Sequence, residues 1–146
     1  MFMIQLDYPS YAEEVTIVKN TTNDVKHQVR EVISAEEIMD FQHLVRRVPV
    51  TDHVIEYAVK LVHKTRPSSG LANKDTADYL EWGAGPRASQ SLILAAKCNA
   101  LLSGKYSPDI EDVKAVALPV LRHRIIRNFK AEAEGISVDD IINRLL

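Results

Sequence analysis

From residue 86 to about residue 103 the sequence is apolar nearly all round a helix, through Leu92, Ile93, Leu94, Ala95, Ala96, Ala100, Leu101 and Leu102. A helix without a polar face belongs at the centre of a fold, with other elements packed around it. Its limits are legible. Pro86 suits the first helical position, where its missing N–H costs nothing, and Gly104 stops the helix. A chain organised around such a helix is expected to be mainly helical, and composition agrees. Five glycines and six prolines stand where average usage in 146 residues would give about 17 or 18. Aromatics, at 6%, are sparse for a β-sandwich. The length fits one domain able to bury roughly two-thirds of its unfolded surface.

The flanking helices announce their starts. Ser10-Tyr11-Ala12-Glu13 and Ser34-Ala35-Glu36-Glu37 read as capping boxes, the serine accepting a backbone N–H and the glutamate reaching back. The first opens a short helix to about Lys19, and the second a helix to about Arg47 with Ile38, Phe41, Leu44 and Val45 at helical spacing. Thr51 heads a third, whose Val54, Tyr57, Ala58, Leu61 and Val62 form one stripe before Pro67-Ser68-Ser69-Gly70 ends it. Ser107-Pro108-Asp109-Ile110-Glu111 reads as a cap, a proline at the first helical position and acids in the first turn, opening a helix to near Leu121. Ser137-Val138-Asp139-Asp140 caps a last helix with Ile141, Ile142, Leu145 and Leu146 on one face.

Extended structure is scarce. Phe2, Ile4 and Leu6 alternate before Asp7-Tyr8-Pro9, as in a strand. Val25, His27 and Val29 alternate within a second candidate, 25–33, which a third at 125–129 is expected to pair with. The stretch from Gly70 to Trp82 carries no clear signal. The expected fold is therefore mainly α, about four to six helices with a minor two-stranded β element.

Several chemistries are excluded. A phosphate-binding P-loop needs Gly, four residues, then Gly-Lys-Ser/Thr. The one Gly-Lys is Gly104-Lys105, followed by Tyr106 and preceded by Asn99 where the first glycine should stand. A single cysteine, Cys98, removes disulfides and cysteine-based zinc sites. His27, His43, His53, His63 and His123 lack metal spacing, so no metal site is expected. The longest apolar run, 115–121, is far short of a membrane span. With no secretory signal pattern, the sequence reads as cytoplasmic. A net charge of −2 gives no global field for nucleic acid.

Gly83-Ala84-Gly85-Pro86-Arg87-Ala88 matches G-x-G-x-x-A, but the dinucleotide fingerprint needs a strand before it and a strand–helix–strand unit around it, and 78–82 does not read as a strand. Arg87 is the stronger feature. A cation in the first turn of a helix opposes the macrodipole, at about 0.3–1 kcal/mol when exposed. The same helix end offers free N–H groups that attract phosphate, and a forked donor beside them strengthens the attraction. The alternative is a solvated arginine, which the residues alone favour. Arg122-His123-Arg124, with Arg127 and Lys130, forms a basic cluster. It either touches nucleic-acid phosphates or, as is commoner, pairs with nearby acids such as Glu132 and Glu134. Trp82 is expected to anchor packing and Cys98 to be an inert packed thiol.

Trp82-Gly83-Ala84-Gly85-Pro86-Arg87-Ala88-Ser89-Gln90 resembles the sensor 2 region of MoxR-type AAA+ ATPases. The likeness extends further. Asp7-Tyr8-Pro9 resembles the exit from that family's last core strand. Val32-Ile33-Ser34-Ala35-Glu36-Glu37-Ile38 and Val48-Pro49-Val50 resemble its first lid helix and the link after it. Ala117-Leu118-Pro119-Val120-Leu121-Arg122-His123-Arg124-Ile125 resembles its lid end, and the spacing agrees over residues 6–146. The family's Walker A, Walker B, sensor 1 and arginine finger precede the matched region and are missing.

The resemblance implies a helical AAA+ lid, with residues 1–9 the end of a core strand and hinge and residues 10–146 the lid domain. It implies that Arg87 is the sensor 2 arginine, approaching the γ-phosphate of ATP in cis or in trans, with Gly85 and Pro86 positioning it. ATP and Mg²⁺ would be used by the full-length protein, with none bound and no catalytic residue in this piece alone. The implied partners are the chain's own AAA+ core and neighbouring subunits of a hexamer, with von Willebrand factor A domain proteins as clients of a chaperone-like remodelling activity. Neither a membrane nor nucleic acid is among them. The alternatives are a stand-alone helical protein-interaction module without nucleotide chemistry and a small nucleic-acid binder using residues 122–130.

Overall fold

Side-chain oxygens fix where the helices begin. In the computed structural model, which describes residues 1–24 and 29–146, α1 (Tyr11–Thr21), α2 (Ala35–Arg47), α6 (Ile110–Ala115) and α9 (Val138–Leu145) each start from a complete capping box. Asn73 and Asn128 cap α4 (Lys74–Tyr79) and α8 (Phe129–Ala133) by accepting from Thr76 N and Ala131 N. Thr51 precedes α3 (Asp52–Lys64) without a side-chain cap bond. The remaining helices are α5 (Pro86–Leu102) and α7 (Ala117–Leu121). The mainly α expectation stands, but nine helices among the described residues exceed four to six, because short α4 and α8 were not foreseen and one expected helix is two.

That division has a cause. Pro119 has no N–H and its ring would clash with the carbonyl four residues back in a continuous helix. The chain breaks at Val116 and restarts, which places Pro119 in the first turn of α7, where the N–H groups are orphans anyway. The start of α6 also differs from expectation. Ser107 is not the cap; its hydroxyl donates to Pro49 O at 3.2 Å. Asp109 caps instead, because only a cap there puts an acid, Asp112, three residues on to close the box. Asp112 is 2% exposed. Its carboxylate accepts from Asp109 N (2.9 Å), Asn99 Nδ2 (2.8 Å) and Lys105 Nζ (3.1 Å), fastening α6 to the end of α5.

α5 is central, with α2, α3, α6 and α7 packed on it. Its fully buried residues, Ala88, Leu92, Ala95, Ala96 and Ala100, form one stripe. Small alanines let the partner helices approach closely. The outer turns are less covered than the apolar sequence predicts, and Leu102 is 90% exposed. The core is completed by Val54, Ala58, Leu61 and Val62 of α3, Val113 of α6, Val120 and Leu121 of α7, and Ile141, Ile142 and Leu145 of α9. On α2 no residue is fully buried, so Ile38, Phe41 and Leu44 leave an apolar face half open.

The β element exists, but with a different pairing. β1 (Leu80–Trp82) and β2 (Ile126–Arg127) are antiparallel, with Leu80 opposite Arg127 and Trp82 opposite Ile126. Two steps on β1 match one on β2, so Glu81 is a bulge residue. The expected strand at 125–129 is thus present at 126–127, and its partner is the segment that did not read as a strand. The expected partner, 25–33, lies partly outside the described residues, and 29–33 form no strand. Residues 1–9 form no strand either; Met3 N donates to Pro119 O at 2.8 Å, tying this segment to α7.

Candidate functional site

The first turn of α5 is built from below by the end of α3. Thr65, fully buried, donates its hydroxyl to Val62 O (2.7 Å) and accepts from Ala84 N (2.9 Å). Thr76, also fully buried, donates to Lys64 O (2.6 Å), so α4 is fastened to the same turn. Arg66 Nε donates to Ala84 O (2.8 Å), and its Nη1 lies 3.3 Å from His63 Nε2. Gly83 passes so close that a Cβ there would lie 2.6 Å from Arg66 Cα and 2.7 Å from Arg66 N, and against Thr65 O. This close approach is why the segment needs a glycine.

Gly85 is the N-cap residue in extended conformation (φ −82°, ψ 177°), Pro86 follows at the first helical position, and Arg87 comes next. No side chain caps α5 and no acid lies in its first turn, although six other described helices carry both. Arg87 is exposed and makes no hydrogen bond or ion pair with the described residues. Pro86 has no N–H and Ala88 N donates to Gly85 O at 2.9 Å, so what this helix start offers an anion such as a phosphoryl group is the Arg87 N–H and guanidinium at the positive end of the dipole, with no competing carboxylate. Among the described residues no cluster of histidine, cysteine or acid could hold a metal ion, and no helix is long and apolar enough to cross a membrane.

The basic cluster is absorbed by the fold. Residues 122–124 form a turn, so Arg122 and Arg124 are not strand neighbours on one face. Arg122 grips Asp139 of α9 with two bonds, Nε at 3.1 Å and Nη2 at 2.6 Å. Arg124 donates to Val120 O (3.0 Å) and Ser91 Oγ (3.2 Å), and Arg127 to Ile136 O (3.0 Å), with Glu132 at 3.5 Å. Lys130 reaches Asp78 at 3.7 Å and lies over the Tyr79 ring. His123 is exposed, and desolvation, then Arg124, holds its pKa below the ordinary value.

Two other expectations resolve differently. Cys98 is half-buried, and burial pushes its thiol pKa up, as an unreactive packed thiol requires. Trp82 is not a packing anchor: its position on β1 leaves it 64% exposed. Sequence reasoning did not find Thr65, Arg66 and Thr76. A signal existed for α4 in Asn73-Lys74-Asp75-Thr76, an asparagine cap with an acid in the first turn. Nothing in the sequence marked the Thr65 hydroxyl as a partner for Ala84.

The sequence profile of the AAA lid domain matches residues 72–145, half of the chain and all of the segment from α4 to α9. The chain belongs to the AAA lid domain family. This lid is 32% identical over its whole length to Chaperone MoxR1 of Mycobacterium tuberculosis, of which it spans 38%. It is 28% identical to the uncharacterized protein YeaC of Bacillus subtilis, spanning 43% of it, and 42% identical over 60 residues to Protein MoxR of Paracoccus denitrificans. A crystal structure of a candidate ATPase from Cytophaga hutchinsonii superposes on 99% of the lid with a TM-score of 0.83 at 32% identity. The lid covers 44% of that protein, so it spans about four tenths of the longer proteins it resembles end to end.

Proposed function

We propose that this lid senses ATP and helps hydrolyse it as part of a MoxR-type AAA+ ATPase, and that Arg87 is its phosphate contact. The observation that carries the reading is the uncapped, acid-free start of α5 with an unpaired guanidinium in its first turn. The residues at this helix start fit a phosphoryl group, and among the described residues no cluster of acids, histidine or cysteine is placed to hold Mg²⁺. In this role the fixed start of α5 presents the Arg87 guanidinium and backbone N–H where charge on the γ-phosphate is stabilised, which is the main task in phosphoryl transfer. Gly85 and Pro86 set that start. Closing on the nucleotide through Arg87 would move the lid as a body.

The wider setting belongs to the same proposal. The lid would work against an AAA+ core and neighbouring subunits of a hexamer, in the cytoplasm, remodelling client proteins in a chaperone-like manner, with von Willebrand factor A domain proteins as the clients to test first. Support comes from the MoxR relatives and from the half-open apolar face of α2, which leaves surface for a core or a subunit to cover. The same face favours a second reading, an interaction module without nucleotide chemistry. The test is Arg87→Ala in the full-length ATPase. A charge-assisted hydrogen bond is worth about 1.5–3 kcal/mol, so ATP turnover should fall roughly 10- to 150-fold. Unaltered turnover with intact assembly would sink the sensing role and leave the interaction module.

A further inference from the structure

Between the end of α3 and the start of α5, the backbone of one residue, Ala84, is held at both its N–H and its carbonyl. The Ala84 N–H donates to Thr65 Oγ1 at 2.9 Å, and the Ala84 carbonyl accepts from Arg66 Nε at 2.8 Å. We propose that Thr65 and Arg66 are positioning residues that aim Arg87 through the two peptide groups that flank Ala84, an inference that rests on the phosphate-sensing reading of Arg87.

Ala84 is 1% exposed, so its N–H and carbonyl have no water to exchange with. Gly85 precedes a proline, which confines it to extended conformations, and it is found at φ −82°, ψ 177°. Pro86 has its φ fixed by the ring. Ala84 to Arg87 therefore contains little rotational freedom, and whatever orients the two peptide groups flanking Ala84 orients the first turn of α5. Each clamp member is itself locked. The Thr65 hydroxyl uses its donor on Val62 O (2.7 Å) and its acceptor on Ala84, leaving it one rotor position. Arg66 is steadied by His63 at 3.3 Å, and Gly83 admits the approach only because it lacks a Cβ. A guanidinium on carbonyl Ala84 also places a second cation behind the turn that carries Arg87, while its Nε bond shows that it acts on the backbone.

A double-mutant cycle in the full-length ATPase separates aiming from mere stability. Thr65→Val removes the hydroxyl at nearly constant shape, Thr65→Ser keeps it, and Arg66→Gln, at a half-exposed position, keeps folding measurable if the buried threonine variant does not fold. We expect Thr65→Val and Arg66→Gln each to lower kcat for ATP about three- to tenfold, the scale of one hydrogen bond, and Thr65→Ser to restore it. In an Arg87→Ala background the same changes should cost less than about twofold, because nothing is left to aim. Equal losses in both backgrounds overturn the clamp and leave the sensing role intact. No loss from Arg87→Ala alone overturns both.

Discussion

Gly83→Ala should destabilise the lid although its backbone conformation is open to any residue. No positive φ is involved; the positive-φ glycines are Gly104 and Gly135. The obstacle is space. The new methyl would meet Arg66 Cα at 2.6 Å and Arg66 N at 2.7 Å, and both belong to backbone that is pinned. On one side Thr76 holds Lys64 O, and on the other Arg66 holds Ala84 O, so neither segment can retreat without breaking one of these half-buried bonds. Overpacking of this kind costs about 1–3 kcal/mol, which for a domain of this size lowers Tm by roughly 2–4 °C per kcal/mol. Thermal unfolding followed by far-UV circular dichroism should show a fall of several degrees. Gly85→Ala is the control, because nothing lies within 4 Å of its added Cβ. An unchanged Tm for Gly83→Ala would refute the claim that α3 and the β1–α5 turn are rigidly apposed.

Gly85→Asp supplies the missing cap and an acid at the positive end of α5; it should stabilise the isolated lid by about 0.3–1 kcal/mol while lowering ATP turnover, which thermal melts and a phosphate-release assay would read together. Asp112→Ala leaves Asn99 Nδ2 and Asp109 N without their buried acceptor and should cost at least about 1.5–3 kcal/mol in urea unfolding, one hydrogen bond to a charged group. The Ser137 hydroxyl and then its N–H hold the Asp140 pKa below its ordinary 3.8, so the α9 cap contributes fully above that pH and is lost as pH falls through the lowered value; Ser137→Ala should flatten this acid limb in amide exchange of α9. Arg122→Ala should cost about 1 kcal/mol by releasing Asp139, and with it α9, from the turn after α7 and leave any DNA affinity unchanged, whereas a salt-dependent loss of DNA binding would restore the nucleic-acid reading.

The helix starts were readable because capping is a local signal: a serine and an acid three residues apart specify Ser10, Ser34 and Ser137 without reference to the rest of the chain. The stripes of α3 and α9 were readable for the same reason. What escaped depends on contacts distant in sequence. β1 is three residues long and exists because Asn128 N reaches Tyr79 O and Asn128 Nδ2 reaches Asp78 O across the fold. Trp82 could not be placed from composition, since only the pairing with Ile126 decides which way it faces. At the candidate site, the helix start that presents Arg87 was legible from Gly85-Pro86, while the platform of Thr65, Arg66 and Thr76 was not, because its bonds join residues 12 to 19 apart.

The central claim is that Arg87 reads a phosphate. Its most direct measurement is the Nε resonance of Arg87 in the full-length protein, recorded with ADP and with a non-hydrolysable ATP analogue. A shift and slowed exchange of the Arg87 Nε–H with the triphosphate, and not with the diphosphate, is the predicted result. An identical Arg87 signal in both states would contradict it.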